Sequence, residues 1–145
     1  MSPESQEFAH LFEAAILGWR PQEGDWSVEQ MRQHLLTYPN GAKALCHGSS
    51  LVSLVFFQQL PGVVEILYLF TLSSSRGQGF MGSLLNVLFL EFNDREFWLE
   101  VRQSNQAAKA LYLKWGFHLC GQRPHYYSDG STALLMSRPA SLSLK

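Results

Sequence analysis

Residues 98–117 read WLEVRQSNQAAKALYLKWGF, and this stretch decides the fold. A short apolar strand is predicted over Phe97–Val101, and Ser104-Asn105 follows it as a helix cap. Apolar residues then recur at helical spacing until Gly116, which is in the position of a C-terminal helix stop. They are Ala107, Ala108, Leu111 and Trp115. The stretch therefore predicts a strand and a capped helix in direct succession.

A glycine-rich segment, Arg-Gly-Gln-Gly-Phe-Met-Gly at residues 76–82, lies upstream of this stretch. It follows an apolar strand predicted over Val63–Leu72 and opens an apolar helix predicted over Gly79–Phe92. Together with the strand Phe97–Val101, these elements form one βαβ unit. Glycines at a helix N-terminus let backbone N–H groups approach a phosphate closely, so the segment is a candidate phosphate-binding loop.

The glycine segment allows three interpretations. Gly77-x-Gly79-x-x-Gly82 matches the dinucleotide fingerprint, and Glu100 follows at about the 20-residue distance of a ribose-binding acid. However, residues 73–76 separate the strand from the first glycine, and a doubly wound dinucleotide domain needs several βαβ repeats. A plainer alternative makes the glycines a simple turn before a core helix. The third interpretation starts from Arg76-x-x-Gly79-x-Met81, which resembles, with one mismatch, the coenzyme A loop of the GNAT acetyltransferases, and it depends on the rest of the chain.

The N-terminal half predicts two helices and a meander of strands. The first amphipathic helix starts at Ser2-Pro3 and ends near Gly18. The second begins at a capping box formed by Ser27 and Gln30, and it carries Met31, Leu35 and Leu36 inward. Apolar runs with short turns between them predict antiparallel strands over Ala42–Cys46, Leu51–Gln59 and Val63–Leu72. Near the C-terminus, strands over Phe117–Gln122 and Thr132–Ser137 flank the turn Ser128-Asp129-Gly130.

Length and composition limit the class of protein. A chain of 145 residues with 46% hydrophobic residues can bury one sizeable core, so we expect one domain over residues 1–139 and a flexible tail over residues 140–145. A net charge of −1 does not provide the basic surface that non-specific nucleic-acid binding needs. With no signal peptide and no apolar run of about 18 residues, we expect a cytoplasmic protein that does not contact a membrane.

The potential metal ligands do not form a site in the sequence. Cys46 and Cys120 lie far apart in apolar surroundings, which predicts reduced core thiols rather than a disulfide or a redox pair. The five histidines show no ligand spacing. We therefore predict no metal.

The stretch from Trp98 to Phe117 closely resembles the second half of the GNAT acetyltransferase fold. It is most similar to the RimI-type ribosomal-protein-alanine N-acetyltransferases, which share the pattern L-E-V-R-x-S-N-x-x-A-x-x-L-Y-x-x-x-G-F. Residues 123–127, Arg-Pro-His-Tyr-Tyr, extend the similarity, which runs from about Val63 to Met136. The resemblance implies the GNAT acyl-CoA N-acyltransferase fold of the α/β (α+β) class, a mixed sheet of about six or seven strands with about four helices on its two faces.

The resemblance implies acetyl-coenzyme A as the co-substrate. The backbone of residues 76–82 would bind the pyrophosphate: Arg76, Gly77, Gln78, Gly79, Phe80, Met81 and Gly82. The main chain of Leu69, Phe70 and Thr71 would pair with the pantetheine arm and polarise the thioester oxygen. Asn105 shares a helix face with Ala108 and Tyr112, and the resemblance directs that face to the cofactor.

The resemblance also implies the catalytic roles. Glu100 matches a general base acting through water, and Tyr112 matches the general acid that returns a proton to the leaving thiolate. Tyr126 and Tyr127 match a segment that borders the acceptor peptide. An α-amine has a pKa of about 7.7–8.0 and a lysine side chain one of about 10.4, so a glutamate removes a proton from the α-amine more readily. This favours a peptide or protein N-terminus, such as that of a ribosomal protein, as the acceptor.

Three departures from the family pattern accompany the resemblance. Met81 stands where the family has glycine or alanine, which predicts weaker cofactor binding, and Thr71-Leu72-Ser73 replaces Val-x-Pro. Ser131-Thr132 replaces an acidic pair before the last strand, which puts the acceptor in question.

Plainer alternatives remain open for each role. Glu100 could be a solvated strand-end carboxylate, Tyr112 a core aromatic residue and Asn105 a helix cap only. Two other functions also remain open. They are acetylation of a small-molecule amine, such as a metabolite or an antibiotic, and non-catalytic binding of an acyl-coenzyme A.

Overall fold

The computed structural model describes residues 6–17 and 25–141, where helices and strands follow the predicted order. The elements are α1 (Gln6–Ile16), α2 (Val28–Thr37), β1 (Ala42–His47), β2 (Ser50–Leu60), β3 (Val63–Thr71), α3 (Phe80–Glu91), β4 (Glu96–Arg102), α4 (Gln106–Lys114), β5 (His118–Arg123) and β6 (Ala133–Arg138). A short 3₁₀ helix, Ser73–Ser75, separates β3 from the glycine loop. The predicted start and end of the first helix, at Ser2-Pro3 and Gly18, and tail residues 142–145 lie outside the described residues.

The strands of the described chain form one mixed six-stranded sheet in the order β1-β2-β3-β4-β6-β5. β1 and β2 are antiparallel, with Ala42 opposite Phe56. β3 and β4 are parallel, with Val63 opposite Glu96, as the predicted βαβ unit requires. β6 is antiparallel to both β4 and β5. The predicted α/β (α+β) class with a mixed sheet is therefore confirmed.

The described chain divides into two compact units, each built from separate parts of the sequence. The first unit contains the described residues up to Gln58 together with Tyr68–Leu88. The second contains Gln59–Leu67 and the described residues from Phe89 onward. The expectation of a single domain over residues 1–139 stays a prediction.

The core of the first unit is formed by α1, α2 and the apolar strands. Phe8, Phe12 and Ile16 of α1 are buried, as is Met31 of α2. Leu36, predicted to point inward, is 76% exposed, and the prediction is wrong for this residue. It is five residues after Met31, or about 140° around the helix, so the two side chains point in nearly opposite directions.

His34 takes an inward position of α2 instead. Its ring is buried, and its Nε2 lies 2.9 Å from the carbonyl oxygen of Gly41 and 3.1 Å from that of Phe57. Since both partners accept hydrogen bonds, Nε2 must carry the donated proton. Gly41 is required beside it, because a Cβ there would lie 2.7 Å from both His34 Nε2 and the Phe57 oxygen.

The core of the second unit is aromatic. The ring of Phe89 lies 4.8 Å from that of Phe97, nearly perpendicular to it, and 6.1 Å from that of Phe117. Along β4 the buried residues alternate with more exposed ones, so Phe97, Leu99 and Val101 face the core. Glu100 and Arg102 consequently lie together on the opposite, accessible face of the strand.

Both cysteines are free, but only one is shielded from solvent. Cys46 is half-buried, whereas Cys120 is exposed, so the prediction of a core thiol is wrong for Cys120. It lies at a bulge between Leu119 and Gly121 in β5, which is an edge strand of the sheet. Apolar neighbours in sequence do not ensure burial at such an edge.

No helix of the described chain is long and apolar enough to span a bilayer.

The predicted capping box is present at the start of α2 and can be tested. Ser27 Oγ accepts a hydrogen bond from Gln30 N at 3.1 Å, and Gln30 Oε1 accepts one from Ser27 N at 2.8 Å. Ser27→Ala should lower the free energy of unfolding by about 1 kcal/mol, because the first turn loses its side-chain acceptor. Urea unfolding followed by circular dichroism measures this change. Ser49→Ala, in the exposed β1–β2 turn, is the matched control, and equal stability of the two variants would contradict the prediction.

Candidate active site

The glycine loop of the first unit leads directly into α3. Gly77 and Gly79 have φ angles of 79° and 77°, which are strained for any residue with a side chain. A Cβ built on either glycine would meet no atom within 4 Å, so the space beside the loop is open. Glycine is therefore needed here for the shape of the backbone. The open, left-handed loop before a helix fits a bound pyrophosphate.

The first turn of α3 supplies the donors that such a ligand needs. Gly79 O accepts the first helical hydrogen bond, from Ser83 N at 3.1 Å. The N–H groups of Phe80, Met81 and Gly82 therefore lie in the first turn, where no helical carbonyl is available to them. Met81 is half-buried at the second helical position, and whether it weakens cofactor binding stays a prediction.

The end of β3 is tied to the loop. Arg76 Nε donates to Thr71 O at 3.0 Å, so this arginine braces the strand end. Thr71 Oγ1 in turn lies 2.8 Å from Ser53 Oγ on β2. Phe70 is buried, while Leu69 and Thr71 are half-buried. A dinucleotide fold requires the strand to lead directly into the first glycine. Here the 3₁₀ helix Ser73–Ser75 separates β3 from Gly77, so that direct junction is absent.

Glu100 lies near the carboxyl end of β4 in the second unit, opposite Leu135 of β6. Its side chain is 24% exposed, and its Oε1 lies 3.5 Å from Arg123 Nη1. The carboxylate is therefore neither buried nor freely solvated. It is accessible to a small polar group and is held beside a cation.

Asn105 caps α4. Its Oδ1 accepts a hydrogen bond from Ala108 N at 3.1 Å, and the side chain is exposed. The predicted cap is thus present. This bond uses the amide oxygen and leaves the amide nitrogen able to donate, so the cofactor-binding role of Asn105 stays a prediction.

Tyr112 lies on α4 among other aromatic residues. Its ring is 6.0 Å from that of Trp115 and 5.9 Å from that of Phe117. Burial raises the pKa of Tyr112 to about 12, because the phenolate would lose its hydration. The phenol keeps its proton at neutral pH and can therefore donate it. The packing of a core aromatic residue and the chemistry of an acid are compatible here.

Tyr126 and Tyr127 lie between β5 and β6, where their rings meet edge to face at 5.1 Å. The guanidinium of Arg123 lies 5.4 Å from the ring of Tyr126, and that of Arg102 lies 3.9 Å from the ring of Tyr127. No role was predicted from the sequence for either arginine. For Arg102, the available signal was its position two residues after Glu100 on the same face of β4.

The predicted site residues thus form two groups, one in each unit. The first unit holds Leu69–Thr71 and the loop 76–82. The second unit holds Glu100, Asn105, Tyr112 and the Tyr126-Tyr127 segment. Each group has chemistry that suits its predicted role, and those roles stay predictions.

Comparison with known proteins identifies the family. The sequence profile described as the acetyltransferase (GNAT) family matches residues 7–117. An N-alpha-acetyltransferase of Saccharolobus solfataricus is 36% identical over 89 residues, which are 57% of this chain and 53% of that protein. The [ribosomal protein bS18]-alanine N-acetyltransferase of Escherichia coli K12 is 42% identical over 71 residues, covering 45% of this chain and 48% of that protein. The matched part of this chain spans about half the length of these two curated relatives.

Comparison with solved structures agrees with the sequence matches. The crystal structure of the ribosomal-protein-S18-alanine N-acetyltransferase from Escherichia coli superposes with a TM-score of 0.78 at 26% identity. The match covers 95% of this chain and 92% of that one. These similarities confirm the resemblance to GNAT proteins of the RimI type that the segment Trp98–Phe117 carries. The chain therefore belongs to the acetyltransferase (GNAT) family.

Proposed function

We propose that this chain transfers the acetyl group of acetyl-coenzyme A to the α-amine of a peptide or protein N-terminus. The observation that carries the proposal is a pair of groups in the second unit. Glu100 is an accessible carboxylate, and Tyr112 is a phenol that keeps its proton. A base and an acid of this kind are what direct acetyl transfer to an amine requires. Membership of the family supports the reaction class.

In this proposal the glycine loop binds the cofactor. Acetyl-coenzyme A supplies the acetyl group as a thioester. The backbone N–H groups of residues 76–82 bind the pyrophosphate, favoured by the positive end of the α3 dipole. The main chain of Leu69, Phe70 and Thr71 pairs with the pantetheine arm, and one of its N–H groups stabilises the negative charge on the thioester oxygen. Asn105 contributes a side-chain contact.

Glu100 and Tyr112 move the protons. Glu100 removes a proton from the α-ammonium group, through water, so that the nitrogen lone pair can attack the carbonyl carbon. The bond from carbon to sulfur then breaks, and the phenol of Tyr112 gives its proton to the departing sulfur. The nitrogen gives up two protons in all, one to Glu100 before the attack and one after the bond from nitrogen to carbon has formed. One proton ends on the sulfur, so that Tyr112 regains the proton it gave, and one is released to solvent, which balances the transfer. No covalent intermediate on the protein is needed.

An α-amine is the favoured acceptor for two reasons. Its pKa of about 7.7–8.0 leaves a substantial unprotonated fraction near pH 7.5, whereas a lysine amine at about 10.4 has almost none. In addition, the two curated relatives are named for acetylation of α-amines or of an alanine of a ribosomal protein. The exposed Tyr126 and its neighbour Tyr127 border the acceptor peptide.

A peptide panel tests the proposed reaction. The chain is incubated with acetyl-coenzyme A and peptides that differ at the first two residues, and mass spectrometry locates the acetyl group. We expect transfer to the α-amine and at least about tenfold less to lysine in N-terminally blocked peptides. Blocked peptides without lysine are the control. Transfer to a small amine alone would favour a metabolite or antibiotic acceptor, and cofactor binding without any transfer would favour a non-catalytic module.

Glu100→Gln tests the base. The substitution keeps the shape of the side chain but removes the proton acceptor, so turnover should fall by about 10²–10⁴-fold while coenzyme A binding changes little. Steady-state kinetics and calorimetry measure the two quantities. Glu96→Gln, at the exposed start of the same strand, is the matched control. A Glu100→Gln rate equal to that of the control would remove Glu100 from the mechanism.

The pH dependence of turnover tests the acid. Burial raises the pKa of Tyr112 to about 12, so its acidic form persists well above pH 10, where an ordinary tyrosine ionises. We expect the saturated turnover rate to show no decline with a midpoint near pH 10, and Tyr112→Phe to lower that rate at every pH. Rates between pH 7 and 10.5, corrected for thioester hydrolysis, decide the matter. A midpoint near 10 that disappears in Tyr112→Phe would contradict the raised pKa.

A further inference from the structure

We propose that Arg102 is a positioning residue that anchors the segment carrying Tyr126 and Tyr127, so that Tyr126 is presented to the acceptor. The inference rests on the proposed function, because it assigns this segment to the acceptor peptide. Arg102 is the last residue of β4, two residues after Glu100 on the same face. It therefore links the strand that carries the candidate base to the segment that borders the acceptor.

Arg102 makes three contacts with one short segment. Its Nη1 donates to Asp129 Oδ2 at 3.0 Å and to Ser131 Oγ at 2.6 Å. Its guanidinium carbon lies 3.9 Å from the centre of the Tyr127 ring, within the range of a cation–π contact. The side chain is 25% exposed, so these contacts are partly shielded from water. Surface ion pairs alone are weak, but hydrogen bonds and ring contact together give the arginine a defined position.

The anchored segment is a closed turn. Tyr127 N donates to Ser131 O at 3.2 Å, and Gly130 N donates to Tyr127 O at 2.9 Å. Asp129 Oδ1 accepts from Ser131 N at 2.9 Å and from Ser131 Oγ at 2.5 Å. Because the turn is bonded to itself, it moves as one piece. The backbone already holds the C-terminal end of the turn beside β4, because Gln103 N donates to Thr132 O at 3.0 Å and Arg102 pairs with Ala133. The Arg102 side chain adds contacts to Tyr127, Asp129 and Ser131, which lie further from the ladder.

The charge on the turn is permanent at working pH. Hydrogen bonds from Ser131, and then the nearby Arg102 guanidinium, lower the pKa of Asp129 to about 2. Asp129 is consequently a carboxylate throughout the range in which the protein would act. The contact with Arg102 is therefore a constant anchor and not a pH-dependent switch.

The two tyrosines have different environments and hence different tasks. Tyr127 is half-buried, and one face of its ring is occupied by Arg102. Tyr126 is 49% exposed, although its ring meets Tyr127 edge to face and lies 5.4 Å from the Arg123 guanidinium. His125, the residue before Tyr126, has a φ of 57°. Residues other than glycine rarely adopt this left-handed backbone conformation. Tyr127 is thus the anchor, and Tyr126 is the ring that remains available to an acceptor.

Arginine suits this position better than lysine. A planar guanidinium can lie over an aromatic ring while its N–H groups point outward to the carboxylate and hydroxyl. A lysine ammonium is a compact charge that cannot satisfy the ring and both oxygens in the same geometry. The charge alone should therefore restore only part of the function, which distinguishes positioning from a general electrostatic effect.

The test compares Arg102→Gln and Arg102→Lys with Arg95→Gln. Arg95 is a matched control in the same unit, since its Nη1 donates to Gln59 Oε1 at 2.7 Å and its guanidinium lies 5.2 Å from the Phe92 ring. We expect Arg102→Gln to raise KM for the peptide by about tenfold to a hundredfold. The Kd for coenzyme A should stay the same, Arg102→Lys should be intermediate, and Arg95→Gln should match the unsubstituted chain.

Hydrogen exchange gives a readout that does not depend on activity. In Arg102→Gln the amides of residues 125–131 should exchange faster, while those of α3 and β4 keep their rates. If Arg102→Gln does not fold, Ser131→Ala replaces it. This substitution removes the 2.6 Å bond from Arg102 and the hydroxyl bond to Asp129, keeps the ring contact and should shift both readouts in the same direction by less. Folding is checked for every variant by thermal unfolding.

The outcomes separate this inference from the proposed function. Acetyl transfer by the unsubstituted chain with an unchanged peptide KM in Arg102→Gln would overturn the inference and leave the function standing. If the unsubstituted chain acetylates no peptide, the proposed function fails, and with it the role in acceptor binding. Exchange rates of residues 125–131 that do not change in any variant would overturn the anchor itself.

Discussion

The pleat of β4 is the constraint on which the second unit depends. Phe97, Leu99 and Val101 are buried on one face, and burial of each such side chain is worth about 1.5–3 kcal/mol. A slip of one residue would expose these three side chains and drive Glu100 and Arg102 into the aromatic core. Burying unpaired charges costs several kcal/mol more, so the register has no close competitor. The same packing that stabilises the sheet therefore holds Glu100 and Arg102 on the accessible face.

The glycine loop depends on a different kind of constraint. At Gly77 and Gly79 it is the backbone conformation, and not crowding, that excludes other residues. The contrast with Gly41 is instructive, because there φ is ordinary and the neighbouring His34 and Phe57 leave no room for a Cβ. Loop glycines of the first kind leave open space that a ligand can occupy. Glycines of the second kind only allow elements of the protein to pack closely.

Local patterns in the sequence were sufficient for most of the fold. The capping box of Ser27 and the cap of Asn105 involve residues three apart, and the alternation of β4 repeats every two residues. The errors arose where the local pattern was ambiguous or the environment was distant. Leu36 is apolar but on the wrong side of α2, and Cys120 has apolar neighbours but lies at a sheet edge. His34 is polar yet buried, because the carbonyl oxygens of Gly41 and Phe57 accept hydrogen bonds from its ring N–H.

In the candidate site, too, features formed by neighbouring residues in the sequence could be predicted, and contacts between distant residues could not. The glycine loop and the motif around Glu100 could be predicted because each is contiguous in sequence. The contact of Arg102 with Asp129 joins residues 27 positions apart, and no spacing rule connects them. The pairing of Glu100 with Arg123 is similar, since it depends on β6 lying between β4 and β5. Such contacts become visible only when the strand order is known.

The structure also changes the meaning of one departure from the family pattern. Ser131-Thr132 replaces an acidic pair, so those two positions hold no carboxylate. In the structure Asp129 places a carboxylate beside Arg102, and the Ser131 hydroxyl is hydrogen-bonded to both side chains. The cluster of Glu100, Arg123, Arg102 and Asp129 is then formally neutral, whereas an acidic pair would make it negative. Under the proposed function, attraction of an acceptor's α-ammonium would therefore fall to Glu100, and the turn would contribute shape rather than charge to the choice of acceptor.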